Sequence, residues 1–408
     1  MPRGRSVLLV LLAGSTLTVM AGTVLSPVLP LIRRELQLGG TAAGLLLTAH
    51  GLALAVASPL AGWLLDRYGI RRPLAAGLLL YGVAGGSGLF IDSYGVLFAA
   101  RLAFGVGAAA VFSGTTLALL TLYQGAERDR AMGRRSTAIS LGGILWPLLG
   151  GALGTISWHG PFAIHLIGLP LALGVLLLLP ADTGTRTAGG GTAFTLVRLR
   201  PRLLGLYAIS FTSSLLLYVL SVFLPQRLAQ AGIDEPALIA PYTAASSLAA
   251  SAAGLAYAKA RAYLGYSAFL RVAGACWTLG LLVAGTATRP AALLAAPALF
   301  GLGMGMSVPA MTVLINRTAP PHLKGQATAL SGTAAFSGQF LSPVFFGPLV
   351  AATSLAHGLL AAAGLAAVLL LAVLVLPLPL PDAGEAIPSS AAGAHRPSRT
   401  DPAGTRHP

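Results

Sequence analysis

The sequence predicts an all-α membrane protein with twelve transmembrane helices, and three observations predict it. Hydrophobic residues make up 55% of the 408-residue chain and charged residues 9%, too few charges to cover the surface of a soluble protein of this length. Apolar runs of about 20 residues, the length that crosses a bilayer, recur over residues 7–377. These runs are continuous and do not alternate apolar with polar residues, which excludes a transmembrane β-barrel.

Taken in order, the spans are expected at residues 7–30, 41–65, 73–91, 94–122, 137–157 and 160–180, then at 203–225, 236–258, 266–287, 291–316, 325–350 and 354–377. Arg3 and Arg5 precede span 1, but its apolar run continues past Val19-Met20-Ala21 to Pro30. It therefore reads as a helix and not as a cleaved leader. Four segments follow: a six-helix unit over residues 1–180, a linker over 181–202, a second six-helix unit over 203–377 and a tail over 378–408. The linker holds Gly189-Gly190-Gly191 and the cations Arg198, Arg200 and Arg202, and reads as a cytoplasmic segment lying on the membrane surface. The tail is rich in Pro, Ala, Ser and Arg and is expected to be disordered.

The formal net charge is +15, and its distribution is a topology signal. Counting spans from an inner start puts Arg67, Arg71, Arg72, Arg128, Arg130, Arg134, Arg135, Lys259, Arg261, Arg271, Arg317 and Lys324 on one side, with Arg3, Arg5 and the linker and tail cations. Only Arg33, Arg34, Arg227 and Arg289 fall on the other. That asymmetry predicts both termini in the cytoplasm of a multi-pass plasma (inner) membrane protein. Nucleic-acid binding is not needed to explain the charge. The single cysteine, Cys276, has no partner for an intramolecular disulfide and reads as an apolar filler.

The two halves repeat one another. Phe104-Gly105-Val106-Gly107 in span 4 is echoed by Phe300-Gly301-Leu302-Gly303 in span 10, 196 residues later. Pro147 in span 5 is matched by Pro343 in span 11 at the same offset, and Leu29-Pro30 by Leu224-Pro225 at 195. Near-constant offsets argue for a duplicated six-helix unit.

The loop after span 2 reads Gly62-Trp63-Leu64-Leu65-Asp66-Arg67-Tyr68-Gly69-Ile70-Arg71-Arg72. It resembles the signature loop of the major facilitator superfamily, G-x-L-x-D-R-x-G-R-R/K. The resemblance implies two pseudo-symmetric six-helix bundles around a midplane binding site. It also implies a conformational latch of Gly62, Asp66, Arg67, Gly69, Arg71 and Arg72. In that latch Asp66 docks on the positive amino-terminal end of span 11 and closes the cytoplasmic side, while Gly62 and Gly69 admit a neighbouring helix. The counterpart in the second half, Gly254 to Arg261, has the glycine and the cations but no acid.

Arg101 stands seven residues into span 4, about 10 Å deep, where a cation is costly and faces a partner or water. The family resemblance assigns such an arginine to substrate or proton coupling. Span 5 carries Gly142, Gly143, Pro147, Gly150 and Gly151, similar to the helix-5 motif of drug:proton antiporters in multidrug efflux. It departs from that motif at Trp146, which replaces the glycine before the proline.

None of the acids falls in the middle of a span, so the usual buried proton-carrying carboxylate is missing. His50 in span 2 and His165 in span 6 are the remaining candidates for that task. The resemblance puts spans 1, 4, 7 and 10 around the cavity. These offer Thr16, Met20, Thr23, Phe112, Ser113, Phe211, Ser214, Tyr218, Met306 and Thr312, a lining for a neutral or anionic lipophilic molecule.

The expected function is secondary export of such a small molecule in exchange for protons, by a monomer in the lipid bilayer with no cofactor and no metal. The alternative is proton-driven import of a small organic anion with Arg101 as counter-ion. No zinc motif, serine elbow or phosphate-binding loop points to an enzyme or to ATP.

Overall fold

The computed structural model describes residues 2–180, 202–320 and 323–375. The linker, apart from Arg202, and the tail lie outside the described residues. The first half holds α1 (Pro2–Thr23), α2 (Gly40–Tyr68), α3 (Arg71–Gly86), α4 (Tyr94–Leu122), α5 (Gly125–Gly154) and α6 (Gly160–Leu178). The second holds α7 (Arg202–Gln230), α8 (Pro236–Ala260), α9 (Tyr266–Thr286), α10 (Pro290–Thr318), α11 (Lys324–Ala352) and α12 (Leu355–Val375).

Eleven of these are long and apolar enough to cross a membrane. The twelfth, α3, has 16 residues and is prolonged by the 3-10 turn Ser87–Leu89. Together they reach about 30 Å, the thickness of the hydrocarbon core. Large apolar side chains such as Val83, Leu177, Val368 and Leu371 are exposed, an outer surface suited to lipid and not to water.

Two boundaries differ from the sequence reading. Span 1 stops at Thr23, and Pro30 sits in the first turn of a separate short helix, Leu29–Glu35. A proline has no N–H and its ring obstructs the preceding turn, so it starts a helix more readily than it continues one. Span 5 begins at Gly125, twelve residues before the predicted 137. Its charged opening, from Glu127 to Arg135, looks like a loop to an apolar-run reading but is helical.

The duplication is carried into packing. In each half the first helix packs on the fifth, the second on the fourth, and the third on the fourth and sixth. The paired glycines show why the motif repeats. A Cβ on Gly105 would stand 2.5 Å from the His50 carbonyl oxygen, and one on Gly301 would meet the Ser246 carbonyl, 196 residues on. A Cβ on Gly107 would fall 2.6 Å from Tyr81 N, and one on Gly303 2.5 Å from Trp277 Nε1, again 196 residues on. Only glycine lets these backbones approach so closely. Tyr81 packs on Phe104 and Trp277 on Phe300, with ring centroids 4.4 and 5.9 Å apart.

Candidate functional site

The bundles meet along α2–α11 and α5–α8, and the meeting is confined to one end. Gly44 abuts Pro343 and Val222, Gly51 abuts Phe336 and Gln339, and Gly347 abuts Thr41. On the other pair Gly143 abuts Ser247, and Gly151 and Gly154 abut Pro236. All these positions lie in the half of each helix nearest the cation-poor loops, except Phe336, which stands two residues short of the middle of α11. There, Ser26 donates to the Ser221 carbonyl at 2.7 Å, and Arg33 Nη1 donates to Gln226 Oε1 at 2.7 Å. Ser26 and Ser221 are 195 residues apart, so repeat-related positions touch at the pseudo-symmetry axis.

Toward the cation-rich end the same helix faces are bare. A Cβ on Gly62, Gly133 or Gly205 would find no atom within 4 Å, and Gly254 has only one, 3.9 Å away in its own bundle. Gly62 lies eighteen residues after Gly44, and Gly254 eighteen after Pro236. Eighteen residues make about five turns, so Gly62 and Gly254 each share a face with a packed position. The molecule is shut at the cation-poor end and open at the cation-rich one.

The latch residues fit that state. Asp66 is exposed and takes part in none of the described hydrogen bonds or ion pairs, so the docking implied by the resemblance is absent here. The physical reason is the separation of the bundles at that end. Arg67 lies over Trp63 and Tyr68, 5.3 and 5.7 Å from their ring centroids. Arg71 Nη2 donates to the Leu176 carbonyl and ties α3 to the end of α6, while Arg72 is exposed. Gly62 admits no helix in this conformation. Gly69 serves the backbone instead, with φ 74° where α2 ends, a value that favours glycine.

Arg101, His50 and His165 are brought together on the shut side. Arg101 is 1% exposed, so it does not reach the outer headgroups. Its Nη2 donates to the Ala21 carbonyl at 2.8 Å, and its Cζ stands 4.3 Å from the Phe104 ring centroid. Its Nε and Nη1 are buried without a partner. His50 Nδ1 lies 2.8 Å from the Leu47 carbonyl, an acceptor, so this nitrogen carries the hydrogen. The 3.4 Å approach of Arg101 Nη2 to the same nitrogen is therefore donor against donor and not a hydrogen bond. His165 Nδ1 is likewise placed against the Phe162 carbonyl at 3.2 Å, leaving its buried Nε2 as a lone pair without a partner. In both rings Nε2 is the proton-accepting nitrogen.

No described carboxylate enters this cluster. Glu35, Asp66, Asp92, Glu127, Asp234 and Glu235 are all exposed, and Asp92 binds His159 at 3.1 Å on the surface. From the second half Tyr218 reaches the cluster, its ring centroid 6.4 Å from that of His50 and its hydroxyl packed on Gly22.

The helix-5 motif lines the shut seam. Gly150 lies against the Val24 carbonyl, and Gly143 and Gly151 face α8. Trp146 turns away from that seam, and its Nε1 donates to the Thr16 carbonyl at 3.2 Å. The bulky substitution is thus absorbed against α1, and the α5–α8 contact survives it. Pro147 lies inside α5.

The residues expected around the cavity divide. Phe112 is 39% exposed and edge-to-face with Phe336 at 6.0 Å across the bundles. Thr16, Thr23, Ser113, Phe211 and Met306 are half-buried, Thr312 is exposed, and Ser214 and Tyr218 are buried. Met20 is sealed in the core at 0% exposure, where it fills space between helices and meets no cavity. Phe336 escaped sequence reasoning because α11 was not counted among the lining helices.

The Major Facilitator Superfamily profile matches residues 11–343. The chain belongs to the Major Facilitator Superfamily. It is a multi-pass membrane protein. It is 34% identical to multidrug resistance protein 1 of Bacillus subtilis (strain 168) over 33% of this chain and 35% of that one. It is 36% identical to puromycin resistance protein pur8 of Streptomyces alboniger over 44% of this chain and 36% of that one. These matches span about a third of the curated relatives' length. The crystal structure of a point mutant of the nucleoside transporter NupG shares the fold, with a TM-score of 0.77 and 14% identity over 90% of this chain and 98% of the other.

Proposed function

We propose that this facilitator exports a small lipophilic compound, neutral or anionic, in exchange for protons by alternating access. The observation that carries the reading is the one-ended seam: the bundles are shut at the cation-poor half and bare at the cation-rich half. The positive-inside rule assigns the cation-rich end to the cytoplasm, with both termini there and the protein in the cell membrane. The structure is then the inward-open state, ready to load from inside. The drug-resistance names of the relatives support the outward direction.

His50 and His165 are the proposed proton carriers, because no described acid lies in the interior and both offer a free Nε2. Their cluster opens outward when Tyr218 withdraws, which suits loading of protons from outside. The return to the inward-open state must open a path from it to the inner space for their release. Asp66 is the proposed inner latch, engaged only when the bare faces of α2 and α11 close.

The test is accumulation of neutral and anionic aromatic compounds in cells with and without a protonophore. For an exporter, dissipating the gradient raises the cell content of a substrate toward that of cells lacking the protein. A fall in content on adding protonophore identifies an importer and refutes the reading.

A further inference from the structure

The early start of α5 has a chemical consequence. It places Arg135 ten residues into the helix, about 15 Å from its cation-rich end. Phe112 stands ten residues before the end of α4, about 15 Å from that end. Phe336 stands twelve residues after the start of α11, about 18 Å from the same end. The three side chains share one level at the head of the open space. Arg135 Cζ is 6.0 Å from the Phe112 ring centroid, and Phe112 meets Phe336 at 6.0 Å. Gly332, with only the Phe336 ring near it at 3.8 Å, marks the room beside them.

Arg135 Nε and Nη2 are both buried without a hydrogen-bond partner. These two N–H groups lie side by side along one edge of the guanidinium, the pair that grips a carboxylate with two parallel bonds. The described ion pairs, Arg34–Glu35 and His159–Asp92, leave Arg135 without a counter-charge. Arg101 differs. Its Nη2 is spent on the Ala21 carbonyl, its two free donors lie on opposite edges, and it sits sealed beyond the Phe112–Phe336 contact.

We propose that Arg135, Phe112 and Phe336 form the substrate site of the open state, and that it takes a planar aromatic anion. The carboxylate or sulfonate sits on Arg135 Nε and Nη2, and the ring lies against the two phenylalanines. A half-buried guanidinium with two covered and unmet donors rewards an anion and repels a cation, while the aromatic pair rewards a flat ring. This assignment rests on the reading of the inner space as the substrate route and narrows the cargo to anions.

The test uses the purified full chain and two probes of one shape, 2-naphthoate and uncharged 2-naphthamide, with binding measured by equilibrium dialysis. Naphthoate is expected to bind tighter by about tenfold or more, the scale of hydrogen bonds to a charged group. Arg135→Gln brings the ratio near one, and Arg135→Lys, a charge without the paired edge, keeps part of it. Phe112→Ala weakens both probes by a similar factor. A ratio near one in the unaltered protein, or a ratio unchanged in Arg135→Gln, overturns the proposal. If the ratio holds but the protonophore experiment shows no export, the direction of transport is wrong and the site stands. If an uncharged compound is exported while the ratio is near one, the site alone falls.

Discussion

Arg101→Gln is expected to raise the melting temperature of the purified protein and to reduce proton-coupled transport to background. The two effects have one cause. Arg101 carries a full charge in the interior with two donors unpartnered and no described acid beside it. Burying an ion costs several kcal/mol, and even buried ion pairs are often replaced by well-packed apolar residues with a neutral effect or a gain of about 1–4 kcal/mol. Glutamine keeps a donor for the Ala21 carbonyl and removes the charge. The fold does not need that charge, because the repeat builds the same scaffold without it. At the 196-residue offset Arg101, His50 and His165 become Pro297, Ser246 and Ala361. A fall in melting temperature with transport retained would make Arg101 a structural residue and remove it from the coupling machinery.

The second large effect is a lock. Thr41 and Gly347 face one another in the shut seam, and a Cβ built on Gly347 stands 2.9 Å from Thr41 Cβ. Disulfides form with Cβ atoms about 3.5–4.5 Å apart, so a small adjustment admits the bond. In a Cys276→Ser background, Thr41→Cys with Gly347→Cys is expected to cross-link under mild oxidation. Transport should then fall to background and return on reduction. Separation of this seam is required in every cycle, so transport that continues with the bond formed would show that the seam does not open.

Much of this was legible in the sequence because it follows from backbone contact. The Phe-Gly-x-Gly repeats announced the duplication since each glycine sits where a Cβ would strike a carbonyl or a neighbouring helix, and the same steric demand recurs 196 residues on. Arg101, His50 and His165 stood out as costly groups in apolar runs, and the fold brings them together. Other features left no trace. Glu127, Arg128 and Arg130 mask the start of α5, because a reading of apolar runs treats a charged helix as a loop. Arg135 was therefore counted as a topology charge and not as a cavity residue. The free state of Asp66 was not legible either, since one sequence encodes both ends of the cycle and the latch exists in only one of them. Trp146 resolves by a local device, the bond to the Thr16 carbonyl, that depends on the spacing of α1 and α5.

The most direct test is a pair of spin labels toward the cation-rich ends of α2 and α11, at Gly62→Cys and Gln326→Cys in the Cys276→Ser background. Continuing the antiparallel register of Gly44 with Pro343 and Gly51 with Phe336 along α2 and α11 brings Gly62 to within one residue of the position opposite Gln326. Two distance populations are predicted. The long one matches the open end described here, and the short one grows as the cation-rich end closes and shrinks again in Asp66→Asn. A single distance, unmoved by a proton gradient, by substrate or by loss of the Asp66 charge, would contradict the account.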